Sequence, residues 1–333
     1  MSAVSMDCKT LSVPLSRIDQ HDSIYRISTA QPIEQLRDSI RQMGVINPPF
    51  LIPQSEASYN IVSGFQRVAV CRELKWTVMP ARVLRTDTNS RDCLGLAVAD
   101  NAQHRELNII EQARAVQKLG PFFDDPGELV SYAKNLGLPL SRDLIPRLNR
   151  LNGLSRSIQN RIAANTISLT ISLELAKLAP EEAEALSGLF HEIRPTLSQQ
   201  KEMLFLVKDI ARARDHSITA VLKNGDLPGI RRNPDFNRQQ KVGQMLAFLR
   251  KQRYPRIHRF GTFFARNLRA LDLPANLSLK PPANFEDTRF SMTIDFHSPA
   301  GLKTHIQTLQ SIADNPHFIN IIDKRIDDPD PLH

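Results

Sequence analysis

At 333 residues the chain is long enough for two or three domains, each with a core of its own. Hydrophobic residues make up 41% and charged residues 23%, and no run of 18 apolar residues exists, so a membrane-spanning helix is excluded. The net charge is +8, and the three cysteines, Cys8, Cys71 and Cys93, form no C-x-x-C pair and no metal spacing with histidine, which sets aside disulfide and zinc frameworks.

The opening MSAVSMDCKTLSVPLSR has no basic stretch followed by an apolar block. No secretory leader is expected, and the location is read as cytoplasmic. Ile33, Leu36, Ile40 and Met43 recur at helical spacing, with Gly44 where a C-cap would sit. Phe50 to Ile52 and Tyr59 to Val62 read as strands edged by Pro48, Pro49 and Pro53. Residues 61–76, IVSGFQRVAVCRELKW, read as strand, glycine turn and a helix from Phe65 to Leu74. That geometry aims free backbone N–H groups at an anion. Met79 to Leu84 follows as a strand, and Arg91 to Gln103 as a helix. Asn108 then opens a helix to about Leu119, with Glu111 as its capping-box partner. Residues 1–120 are therefore read as a small α/β domain.

Residues 121–200 read as wholly helical. GELVSYAKNLGLPLSRDLIPRLNRLNGL gives a short amphipathic helix, a glycine turn and a second helix opened by Ser141 as N-cap. This suits a helix-turn-helix whose second helix enters a DNA major groove, although helical hairpins in all-α cores share the pattern. Pro146 removes one helical bond, so that helix is expected to kink or to begin later. Arg142, Arg147, Asn149 and Arg150 suit phosphate or base-edge contact.

Residues 201–275 form a basic helical segment. Between Lys201 and Asp272 there are 16 Lys and Arg against 6 Asp and Glu, a local balance of +10 that suggests a polyanionic partner. The alternative is a solvated helical surface. Within RKQRYPRIHRFGTFFARNLR, the cations Arg250, Lys251, Arg253 and Arg256 are the candidate DNA contacts, and the phenylalanines are expected to anchor the segment. The stretch LPANLSLKPPANFED reads as a proline-rich linker. In residues 284–333, Phe290, Met292, Ile294 and Phe296 alternate as in a strand. Ser298 and Pro299 then open a helix with Leu302, Ile306, Leu309 and Ile312 on one face. One strand and one helix cannot bury these surfaces alone, so a second copy of the chain is the expected mate. The fold class is α+β multidomain.

Several segments resemble the ParB-type chromosome and plasmid partition proteins. LRDSIRQMGVINPP is similar to the family's SI-x-x-x-G-L-I-Q-P segment, and NIVSGFQRVAVCRELKWTVMPARVL stands where it has Y-x-I-V-x-G-E-R-R-W-R-A-A. DNAQHRELNIIEQARA is similar, without a gap, to E-N-x-Q-R-x-D-L-N-P-I-E-E-A. The resemblance implies a ParB/sulfiredoxin-like N-terminal domain, a helix-turn-helix and a C-terminal strand–helix dimerisation unit. It further implies a nucleoid-associated homodimer on double-stranded DNA, CTP with Mg²⁺ in the N-terminal domain, and a ParA-type ATPase partner.

Carried over by position, Gly64, Phe65, Gln66 and Arg67 fall on G-E-R-R. Asp100, Asn101 and His104 fall on the Glu, Asn and Arg of E-N-x-x-R, and Asn47 on the Gln of G-L-I-Q-P. Asp100 and Asn101 are the positions for Mg²⁺ if nucleotide binds. Phe65 stands for an acid, Gln66 for one of two arginines, and His104, mostly neutral at pH 7, for a permanent cation. Two fixed positive charges are lost, so CTP binding is expected to be weak or absent, with no catalytic residue and no turnover.

Two other classes compete. A sulfiredoxin-type reductase needs a cysteine in the glycine loop, where Phe65 stands; Cys71 reads as a small core residue. A nuclease needs carboxylates or histidines at metal-ligand spacing, which the sequence lacks. A non-catalytic regulator or adaptor that keeps the fold without nucleotide is the third reading.

Overall fold

The computed structural model describes residues 7–19, 21–29, 33–285 and 287–323, with the side chains of His104 and Asn284 outside the description. It divides into two compact units, Met1–Leu197 and Ser198–His333, where the sequence suggests four segments.

The first unit opens with strand β1 (Cys8–Pro14), helix α1 (Glu34–Met43), strands β2 (Phe50–Pro53) and β3 (Tyr59–Ser63), helix α2 (Phe65–Glu73) and strand β4 (Val78–Leu84). The sheet order is β1-β4-β2-β3, with β1/β4 and β2/β3 antiparallel and β2/β4 parallel. Val13 pairs with Met79, and Leu51 pairs with both Val83 and Ile61. Pro80 is tolerated in β4 because it lies before β2 joins at Arg82 and Val83. Val13, Leu51, Ile61, Val68, Cys71, Met79 and Ala81 form the core between sheet and helices, each large aliphatic contributing about 1.5–3 kcal/mol.

Helix α1 turns Ile40 into this core and ends at Gly44, whose φ of 76° lets its N–H reach the Ile40 carbonyl at 3.0 Å. Met43, placed on the same face by its spacing, is instead 73% exposed, because the core ends one turn earlier. Helices α3 (Ser90–His104) and α4 (Ile109–Leu119) follow. The expected capping box on α4 is present: Asn108 Oδ1 accepts from Glu111 N, and Glu111 Oε2 accepts from Asn108 N, both at 3.1 Å.

The helical remainder of this unit is α5 (Pro126–Asn135), α6 (Leu144–Leu151), α7 (Arg156–Ala163), α8 (Leu169–Leu175) and α9 (Pro180–Ile193). Gly137, at φ 79°, makes the turn between α5 and α6. The cap of α6 is Asp143, with no side-chain cap bond, and not Ser141. The later start places Pro146 third in the helix, where the N–H it lacks would have had no intrahelical partner. Leu148 and Leu151 are buried, and Arg142, Arg147, Asn149 and Arg150 are exposed.

The second unit holds α10 (Leu197–Ala213), α11 (Ile218–Lys223), α12 (Leu227–Arg232), α13 (Arg238–Arg253), α14 (Pro255–Ala270), strands β5 (Leu277–Lys280) and β6 (Ser291–Ile294), α15 (Pro299–Ala313) and α16 (Pro316–Asp323). The supposed linker thus contains a strand. β5 pairs antiparallel with β6, Leu277 opposite Ile294 and Leu279 opposite Met292. Leu271, Leu277, Leu279, Ile312 and Ile321 are buried together, with Phe264, Leu268, Phe290, Met292 and Leu309 packed on them. The C-terminal strand and helix therefore have mates within their own chain, and the sequence argument that they need a second copy does not hold. Phe296, Ile306, Ile319 and Ile322 remain exposed.

Candidate anion pocket and nucleic-acid interface

β3 delivers the chain into Gly64, whose φ of 92° is left-handed and whose added Cβ would lie 2.7 Å from Pro49 Cβ. Only glycine fits this turn, and α2 starts without a side-chain cap on its first N–H groups. Beside it is a cavity of about 390 Å³. Asn47, Gly64, Phe65, Gln66, Arg67 and Asn101, predicted from segments up to 54 residues apart, all line it. Asp100 does not line it, and the side chain of His104 is outside the described residues.

The charged groups of the pocket are already engaged. Arg67 Nη2 donates to Asp100 Oδ2 at 3.0 Å, and Nη1 donates to the Asn47 carbonyl at 2.6 Å. Ser63 Oγ also donates to Asp100 Oδ2. Asn101 Nδ2 donates to the Ala97 carbonyl at 2.8 Å. Asp100 Oδ2 is thus held by Arg67 and Ser63, so a magnesium ion bound at this carboxylate would share it with two donors. Among the described residues no group of three or more His, Cys, Asp or Glu could hold a metal.

Arg105, a pocket residue that the positional match passes over in favour of its neighbour His104, makes a fork on Glu111 at 2.6 and 2.8 Å. Glu111 is fully buried and also accepts from Thr29 N at 2.8 Å and Asn108 N at 3.1 Å. Burial alone would push its carboxyl up, but the Arg105 fork and the backbone N–H bonds outweigh it and hold it below the usual carboxylate range. A basic residue three before Asn108 and six before Glu111 was the available signal for Arg105. Both arginines of the pocket wall are thus neutralised within the protein. Arg26 lies over the Phe65 ring, 5.4 Å from its centroid, and brings a cation to that lining residue.

Cys71 and Cys93 are fully buried, and burial pushes each thiol up to about 11, so neither supplies a thiolate for reductase chemistry at neutral pH.

On the nucleic-acid side, Arg142 pairs with Asp125 at 3.3 Å, both exposed. Arg147 and Arg150 make no ion pair among the described residues. In the second unit, Arg250 pairs with Glu202 at 2.6 Å and Arg253 with Asp209, while Lys251 and Arg256 are exposed and form no ion pair among the described residues. Phe260 and Phe264 pack on Phe285, and Phe264 on Phe290, so these aromatics anchor the segment.

The family model for the ParB N-terminal domain matches residues 4–101. A probable chromosome-partitioning protein ParB of Rickettsia bellii is 31% identical over 137 residues, 41% of this chain and 44% of that protein. A nucleoid occlusion protein of Lysinibacillus sphaericus is 37% identical over 89 residues, 27% of this chain and 29% of that one. The matched part therefore spans less than half the length of these relatives. A solved C-terminally truncated ParB of Caulobacter crescentus, complexed with CTP-gamma-S, covers 55% of this chain and 98% of its own at 21% identity, with a TM-score of 0.26. Residues 4–101 are thus similar to the N-terminal domain of the ParB family.

Proposed function

We propose that the protein is a ParB-type partition protein that binds duplex DNA as a homodimer and holds CTP weakly or not at all. The observation that carries the DNA reading is the α5–Gly137–α6 unit. Its second helix buries Leu148 and Leu151 and leaves Arg147, Asn149 and Arg150 on the solvent face. Those side chains suit base-edge and phosphate contact, and Lys251 and Arg256 add phosphate-neutralising charge. Relatives named for chromosome partitioning and nucleoid occlusion support this class of role. A location on the nucleoid and a ParA-type ATPase partner follow from the same reading.

The nucleotide half of the proposal rests on Arg67. A triphosphate entering beside Gly64 would have to draw Arg67 away from Asp100, and Gln66 offers no second cation. A charge-assisted bond to phosphate, roughly 1.5–3 kcal/mol, would replace one of similar strength. The net gain is small, so occupancy is low and no turnover is expected. A gel-shift series on genomic fragments, with and without CTP, tests the reading. Retardation of a discrete set of fragments, unchanged by CTP, is expected; no retardation at low salt would leave the adaptor reading.

A further inference from the structure

Most apolar side chains of α10 face inward: Met203, Leu204, Leu206, Val207 and Ile210 are buried. Phe205, in the middle of that run, is 57% exposed. Phe260 and Phe264 on α14 pack on Phe285, whereas Phe205 makes no ring contact among the described residues. At 3.6 residues per turn, Lys201 and Arg212 lie within about 40° of Phe205 on one flank of the helix. Glu202 and Asp209 lie within about 60° of it on the other.

The two flanks differ in charge. Lys201 and Arg212 are exposed and form no ion pair among the described residues. The other flank is built with α13: Arg250 Nε donates to Glu202 Oε1 at 2.6 Å, and Arg253 Nε donates to Asp209 Oδ2. Each carboxylate neutralises its guanidinium, whose Nη groups form no hydrogen bond among the described residues. An exposed ring thus has unpaired cations on one side and neutralised guanidinium donors on the other. A single nucleic-acid strand presents groups in the same order: phosphates, the face of a base, then its acceptor-bearing edge. Stacking on the ring needs an unpaired base, which a duplex does not offer. An acidic peptide would suit the first flank but would meet Glu202 and Asp209 on the second.

We propose that the face of α10 centred on Phe205 binds single-stranded DNA. Phe205 stacks on a base, Lys201 and Arg212 neutralise backbone phosphates, and Arg250 and Arg253 donate to base edges. The choice of DNA over RNA, though not the single-strand site itself, rests on the DNA reading above.

The test uses the full chain and a fluorescent dT oligonucleotide, read by anisotropy. The parent should bind it. Phe205→Leu, which keeps an apolar surface and loses the ring, should weaken binding about tenfold with the salt slope unchanged. Lys201→Ala with Arg212→Ala should lower that slope by about 1.4, from roughly 0.7 for each of two phosphates. No binding of dT by the parent at low salt, or equal affinity in Phe205→Leu, overturns the site. An equal weakening of duplex binding in Phe205→Leu would make the ring a duplex contact and also overturn it. So would a glutamate oligopeptide that binds the parent and loses as much affinity in Phe205→Leu. Tighter binding of a uridine oligonucleotide than of dT overturns the choice of DNA. Failure of the parent to retard any duplex would refute the DNA reading of α5 and α6 and leave the dT result standing.

Discussion

Arg67 and Asp100, 33 residues apart in the chain, meet at 3.0 Å with less than a fifth of either side chain exposed. The pair fixes the Gly64 loop against the end of α3 and withholds from any ligand the cation that the loop would otherwise present. It competes directly with a phosphate for the same guanidinium.

Asp100→Asn keeps the shape and removes the charge. The account expects stability in urea to fall by roughly 1–3 kcal/mol, because Arg67 loses a charge-assisted partner. CTP affinity by calorimetry should stay the same or rise, because Arg67 is released. A fall in affinity would place Asp100 at a nucleotide-bound metal.

Glu111 gives the protein an acid-sensitive joint. Its folded pKa lies below the ordinary value near 4.5, so its contribution is present above that value and lost as pH falls through the folded one. Glu111→Gln leaves the Arg105 charge without its carboxylate and should cost about 3–5 kcal/mol at pH 7. The variant's stability should also fall less steeply between pH 5 and pH 3, about the range in which native carboxylates take up protons. Urea unfolding across that range decides, and an acid limb as steep as the parent's would count against the assignment.

The basic segment divides into engaged and available cations. Replacing Lys251 and Arg256 with alanine should reduce the salt slope of DNA binding by about 0.9 for each phosphate no longer neutralised. Replacing Arg250 and Arg253, which pair with Glu202 and Asp209, should change it little. Equal effects from the two double variants would mean that the intrachain pairs open on DNA.

For the dimer, truncation before Phe290 is a poor test because it strips β5 of its partner strand. Ile306→Glu with Ile319→Glu alters only exposed apolar positions. Sedimentation should give a dimer for the parent and a monomer for the variant at micromolar concentration. A variant that stays dimeric would place the interface elsewhere.

The N-terminal sheet and its helices were legible because β-branched runs, the Gly44 and Gly64 turns and the Asn108 cap are local signals. β5 was missed because LSLK is only four residues long between prolines, too short for its alternate buried leucines to stand out. Ser141 drew the cap reading by residue type, while Pro146 set the true start two residues later than Ser141 implied. In the pocket, position along the chain found six of the lining residues. It could not find that Arg67 meets Asp100, or that Arg105 joins the wall bound to Glu111, because both pairings depend on where α3 and α4 come to rest.

Calorimetry of the intact protein with CTP, Mg²⁺ and a retarded DNA fragment tests the central claim most directly, with Gln66→Arg as the comparison. The account predicts no micromolar binding and no CDP for the parent, and affinity raised about tenfold or more in Gln66→Arg, where one charge-assisted bond to phosphate is restored. Micromolar binding of CTP with turnover by the parent protein would contradict it.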